Sequence, residues 1–223
     1  MNYHEPLSHA VRAATTEFAY RKVIAEICGF RWSKLTRAEL TNVAWGYYYF
    51  SIQFRESLEI ARRIFPDDER LLQLDQGERD TDNLSPWPGV ASAGEKLNHD
   101  EFVRRTLALA PIPKSRQREF AMLGGSYLAK TRAIDDMTRA LSLASYEDGG
   151  LESVFTAILT AQNWDDPLLQ AFKHFLDKHV SFDSDPEAGH GALCRHLTPD
   201  DRVLPLWNEF RDILIKAAPA LTD

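Results

Sequence analysis

Apolar residues recur along this chain with a period close to 3.6, the spacing of one helix face. Over residues 6–28 the stripe is Leu7, Val11, Ala14, Phe18, Val23, Ile24 and Ile27. Thr36 stands three before Glu39, a capping-box pattern that opens a long helix to about residue 65, crowded with Trp45, Tyr47, Tyr48, Tyr49, Phe50 and Phe54. Pro66 and Asp67 end it, and a short helix over about 68–78 follows. Residues 79–93, with two prolines, a glycine and several capping residues, read as an ordered loop of functional length. Ser92 with Glu95 and Asn98 with Glu101 compete as the next start, of a helix to about Ala110 that Pro111 and Pro113 stop. A helix over 115–145, softened by Gly124 and Gly125, is followed by a break at Gly149-Gly150 and a helix over 151–162. Asp166-Pro167, Asp185-Pro186 and Thr198-Pro199 each pair a capping residue with proline at the first helical position. They predict a helix over 167–183, a short one around His190, and a last one ending near Ala218. The expectation is an all-α, single-domain bundle spanning 1–223, with about seven to nine helices and no strand. The WGYYYF run belongs mostly to its core, although tyrosines there suit a pocket wall.

Composition narrows the function. A net charge of -7 argues against nucleic acid, which asks for clustered Lys and Arg. No run approaches the ~18 apolar residues of a membrane span, and the polar start of the chain lacks a secretory apolar stretch. Two cysteines, Cys28 and Cys194, make no disulfide framework. A cytoplasmic protein is expected, with a small-molecule partner, no membrane or nucleic-acid partner, and a possible homodimer. No phosphate-binding glycine loop, zinc-type cysteine spacing or nucleophile elbow is present. Cys194 has no second motif to support it as a nucleophile.

The most informative stretch is FKHFLDKHVSFDSDPEAGHGALCRHL, residues 172–197. Leu168, Leu169, Phe172, Phe175, Leu176 and Val180 give its helix a buried stripe. His179 and Asp183 are four apart and so leave the same face one turn apart. With His190 they offer two imidazoles and a carboxylate, a set that suits ferrous iron with positions left open. The competing reading of the same spacing is a helix-supporting His–Asp pair, with His174 and His196 at the surface.

HVSFDSDPEAGHG resembles the last-helix signature of the haem-oxygenase-like di-iron oxidase superfamily, where a His, three residues, an Asp and a nearby His bind metal. On that resemblance His179, Asp183 and His190 take those roles. Six residues, Pro186 among them, separate Asp183 from His190, more than is usual there. The helix bulges and restarts, or Asp185 replaces Asp183, or the site has decayed. The resemblance further implies an upstream carboxylate, for which Glu152 in GGLESVF stands 27 residues before His179. It also implies a Glu and a His on a middle helix, for which GEKLNHDEF offers Glu95 and His99. Each has a plainer role: Glu152 as a first-turn acid favoured by the helix dipole, Glu95 as the end of a capping box, and His99 as a first-turn residue. Glu78, Asp80 and Asp82 are further candidates, better read as a solvated loop. Glu56 and Glu59 are not distinguished from exposed charges.

The resemblance implies an iron-dependent oxidase or oxygenase holding one or two Fe ions and using dioxygen to oxidise a small metabolite. Its metal ligands would be Glu95, His99, Glu152, His179, Asp183 and His190. Two alternatives remain: a metal-free enzyme of the same fold, similar to thiaminase-II or pyrroloquinoline-quinone synthase, with an acid or base such as Glu152, and a non-catalytic binding protein whose six residues scatter.

Overall fold

A computed structural model describes residues 18–79, 84–183 and 190–223. Among them the chain forms ten α-helices: α1 (Ala19–Cys28), α2 (Arg37–Ile64), α3 (Glu69–Gly77), α4 (His99–Ala108), α5 (Lys114–Arg132), α6 (Asp136–Glu147), α7 (Gly150–Leu159), α8 (Pro167–Asp183), α9 (His190–Cys194) and α10 (Leu204–Ala217). No strand forms among them; one isolated bridge joins Trp87 and Ala91. The all-α expectation holds. Among the described residues no helix is long and apolar enough to cross a membrane.

The caps explain most boundaries. Thr36 accepts from the Glu39 amide while the Glu39 carboxylate takes the Thr36 amide, so both halves of the capping box exist. Asp166 accepts from the amide of Leu169 at the start of α8. Of the two boxes proposed near residue 95, neither forms in full. The Glu95 carboxylate takes the Ser92 amide, but the helix begins at His99, and Asn98 caps it without a side-chain bond. The helix expected over 115–145 is two. Asp135 accepts from the Thr138 amide and caps α6, a signal that the uninterrupted apolar pattern concealed. Gly124 and Gly125 lie inside α5 without breaking it.

The long helix α2 is the axis. It touches α3, α4, α5, α6, α8 and α10, while α7 packs on α8 and α1, and α9 packs on α3 and α6. Tyr47, Phe50 and Phe54 carry its aromatic side inward, where Phe50 stacks on Phe210 at 4.1 Å between centroids and meets Tyr146 edge-on at 5.1 Å. That orientation suits the ring quadrupoles. The core is one contiguous cluster running from α1 to the C-terminal turn. One polar knot crosses it. Tyr127 and Tyr146 both donate to Oε1 of the buried Gln53, whose amide donates to Ser57. Buried polar atoms of this kind need such partners.

Gly124 is buried against the face of the Tyr49 ring, and a Cβ there would run into ring atoms. Gly125 faces solvent with nothing nearby. We expect Gly125→Ala to stabilise the fold by about 0.5–1 kcal/mol, the helix-propensity gain. Gly124→Ala should cost about 1–3 kcal/mol through overpacking. Urea denaturation of the two variants checks the pair; equal effects would mean Tyr49 moves aside freely.

Candidate functional site

Five helices deliver five polar side chains to one buried point, and four of the five come from helix ends. Glu78 follows directly on α3, His99 opens α4, Glu147 closes α6 and His190 opens α9; His179 lies within α8. The amide of His99 donates to the carbonyl of Glu78 at 3.2 Å, closing the loop between α3 and α4. After Glu147 the chain turns through Gly149 at φ +83°, a left-handed conformation open to glycine at little cost. Gly150 then packs so closely on the Ser145 carbonyl and the Trp207 ring that a Cβ would collide with both. Gly191 presses α9 onto the end of α6, where a Cβ would lie 2.8 Å from the Glu147 carbonyl oxygen. A Cβ on Gly77 would lie 3.1 Å from Nε2 of His190. Small residues thus permit the convergence.

The side chains meet in two groups. Nδ1 of His99 lies 2.9 Å from Oε2 of Glu78 and 3.1 Å from Nε2 of His179. Nδ1 of His190 lies 3.3 Å from Oε1 of Glu78 and 3.4 Å from Oε2 of Glu147. Glu78 contributes one carboxylate oxygen to each group. His99, His179, His190 and Glu147 are all at most 7% exposed. Phe175 covers the His179 ring at 4.1 Å between centroids, and Phe155 meets it edge-on.

Proton counting shows the strain in the first group. Nδ1 of His179 lies 2.7 Å from the Phe175 carbonyl, which only accepts, so that nitrogen carries the ring proton. Burial, with the facing His99, drives the His179 imidazole down to about 3, so it is neutral and its Nε2 is a lone pair. Nδ1 of His99 therefore faces two acceptors, His179 Nε2 and Glu78 Oε2, with at most one proton to give. Nε2 of His99 and Oε2 of Glu147 are buried without a hydrogen bond. Burial pushes the Glu78 carboxyl up, but the attraction and hydrogen bond of His99, with the attraction of His190, outweigh that and hold it at about 2. Burial raises the Glu147 carboxyl, against the pull of His190. At Nδ1 of His99, then, the electron pairs outnumber the protons by one.

The side chains gathered here, imidazoles and carboxylates, are of the types that first-row metals take as ligands. Neighbouring ligand atoms on bonds of about 2.1 Å stand about 3 Å apart, close to the spacings above. As placed, these atoms face one another as hydrogen-bond and ion-pair partners. Among the described residues no group of three or more His, Cys, Asp or Glu is placed so that it could hold a metal ion.

Of the six residues expected from sequence, His99, His179 and His190 come together. Glu95 does not join them: it pairs with Arg105 at 2.8 Å and takes the Ser92 amide. Glu152, on the first turn of α7, makes none of the described hydrogen bonds or ion pairs with the histidines, and Glu147 lies beside His190. The side chain of Asp183, together with Asp185, Asp80 and Asp82, lies outside the described residues. Glu78, read from sequence as a solvated acid, is central. Glu147 was missed, although it stands 179 − 147 = 32 residues before His179, five further upstream than Glu152. Glu56 pairs with Arg132 and Arg139, and Glu59 with Arg55. His174 stacks on Trp87, and His196 pairs with Asp68. Burial lifts the Cys194 thiol well above its ordinary range, which leaves it a poor nucleophile.

A recess of about 30 Å³ opens beside the cluster, walled by Tyr47, Phe50, Phe54, Leu58, Leu151 and Phe175 and floored by Glu78, His99, Glu147 and His179. Arg55, Asp75, Arg79, Asn98 and Asp100 stand at its edge. That room holds about one water molecule.

No family model, curated protein or solved structure matches the chain.

Glu78→Gln tests the proton count. The amide brings two donors and removes a buried negative charge. In chelator-treated protein at neutral pH it should lower the folding free energy by about 1–3 kcal/mol, because a carboxyl held at about 2 contributes stability that is present above its ordinary pKa and lost as pH falls through the folded value. An unchanged or raised folding free energy in denaturant titrations would mean that the missing proton at His99 outweighs the attraction of the histidines for the Glu78 charge.

Proposed function

We propose that this chain is a non-haem iron oxidase or oxygenase of the haem-oxygenase-like kind, using dioxygen to oxidise a small metabolite. The observation that carries the reading is the arrangement around Glu78: two buried groups of donors, one with His99 and His179, the other with His190 and Glu147, joined by the two oxygens of one carboxylate. His99, His179 and Glu78 make a two-histidine, one-carboxylate set, the type that suits ferrous iron with open positions. Glu147, His190 and the second oxygen of Glu78 would hold a second ion. Two carboxylates packed beside buried imidazoles gather negative charge that a bound cation would neutralise, and Nε2 of His99 and Oε2 of Glu147, buried without hydrogen bonds, would gain a partner in it. Iron in such a set supplies one-electron chemistry with dioxygen, which side chains alone do not.

The protein's own contribution is positional. The Phe175 carbonyl fixes the tautomer and rotation of His179, the role that an outer carbonyl plays for a metal-bound imidazole. Phe175 and Phe155 exclude water from its faces. The aromatic recess presents an apolar surface to the substrate. Its small volume requires either a very small reacting group or outward movement of the walls.

A metal-free acid–base enzyme is the second reading. It draws on the raised carboxyl of Glu147 beside the recess and on the absence of a ready-made metal site among the described residues.

An anaerobic Fe(II) titration followed by air separates the two. Two equivalents should bind, with an oxygen-dependent absorbance change. Glu147→Gln should reduce the stoichiometry to one, and His179→Ala should weaken binding at least tenfold. Glu152→Gln and Glu95→Gln should bind as the parent does. No saturable Fe(II) binding to the parent removes the iron reading and leaves the acid–base enzyme.

A further inference from the structure

On the far side of the Arg79–Asp75 pair, which also borders the recess, lies a separate cleft of about 470 Å³. Five arginines line it: Arg62 and Arg63 from the end of α2, Arg79 after α3, Arg132 from the end of α5 and Arg139 from α6. Three acids line it too, Glu56, Glu59 and Asp75. The lining thus carries two positive charges in surplus, five less three, in a chain whose net charge is -7.

Ordinary surface pairing does not account for this group. Arg139 is 6% exposed, and burying a guanidinium is costly unless it is well paired. Its partner Glu56, at 3.1 Å, is shared with Arg132, so one carboxylate serves two guanidiniums. Nε of Arg139 has no hydrogen-bond acceptor. Arg62 donates to the backbone carbonyl of Asp68, and no carboxylate among the described residues pairs with it. Arg63 faces Asp136 across 3.7 Å with both ends in solvent, where attraction is weak. Arg79 is paired with Asp75 at 3.0 Å.

We propose that this cleft binds the phosphate group of a small molecule. Guanidiniums present a planar fork that matches phosphate oxygens, and they remain charged at every physiological pH. A phosphate group at neutral pH carries about −1.5 to −2 charges, which matches the surplus of two. The volume lies within the range of about 300–1,000 Å³ typical of small-molecule sites, so a phosphate monoester with a body fits as well as inorganic phosphate. The site stands independently of the iron reading, because none of its arginines belongs to the histidine cluster.

The test is calorimetric titration of the chelator-treated protein with inorganic phosphate and with glycerol 3-phosphate, at matched ionic strength and with chloride as control. One saturable equivalent is expected for at least one of the two. Tighter binding of the ester by tenfold or more would assign a phosphorylated metabolite, and equal binding would assign the free anion. The double variant Arg62→Gln/Arg63→Gln, at one half-buried and one exposed arginine, should weaken binding about tenfold or more, the least that a hydrogen bond to a charged group carries. Arg118→Gln, outside the cleft, should bind as the parent does. Absence of saturable binding up to ~10 mM, where a specific phosphate site should fill, or equal affinity in the parent and the double variant, overturns the proposal.

Discussion

Everything around the site follows from one imbalance: at Nδ1 of His99 two acceptors face a single available proton. An apolar core tolerates many packings of similar volume, but a buried polar cluster does not, because each unmet lone pair costs its full desolvation. The five side chains come from five helices, so their meeting fixes α3, α4, α6, α8 and α9 relative to one another more narrowly than the aromatic packing would. Placing four of them at helix ends eases the geometry. A terminal residue can leave the helix axis, and its neighbours in the loop can bend to bring it inward.

Such a cluster is a poor way to stabilise a helical bundle. Leucines and phenylalanines of the same volume would fill the space without unsatisfied atoms. Sequences that violate polar satisfaction generally do so where function requires it. Gly77, Gly150 and Gly191 argue in the same direction. Each permits an approach that a Cβ would obstruct, and the approaches surround Glu147 and His190. Gly77 and Gly191, in short helices where alanine is intrinsically favoured, are understandable as the cost of bringing α9 onto α3 and onto the end of α6.

Much of the fold was legible because it is written locally. The Thr36–Glu39 box, the Asp166 cap and the Gly149 turn each depend on a few adjacent residues, and each appears as expected. The break between α5 and α6 was less visible, since one Asp135–Thr138 cap interrupts an otherwise continuous helical pattern. The three converging histidines were legible from their type and setting, but the carboxylates were not. Glu95 and Glu152 already had sufficient local roles, in a half-formed cap and a first helical turn, and Glu95 is found in such a role. Glu78 and Glu147 carry no local signature at all. What buries them is the docking of α9 against α3 and α6 and the return of the chain from α3 to His99, and neither contact is encoded by spacing along one helix.

The position of Glu78 also joins the two polar regions of the molecule. Glu78 and Arg79 are consecutive at the end of a helix nine residues long, one directed to the histidines and the other to the arginine cleft. Gly77 before them has His190 close against its backbone, leaving little slack on that side. Arg79, just past the end of α3, is held by Asp75 on the last turn of that helix, which ties its side chain to the element that Glu78 follows. A displacement of α3 large enough to alter the cleft wall would therefore change the distances from Glu78 to His99 and His190. Because a carboxylate bond of about 3 Å weakens steeply with stretching or tilting, even a small shift would register at the histidines.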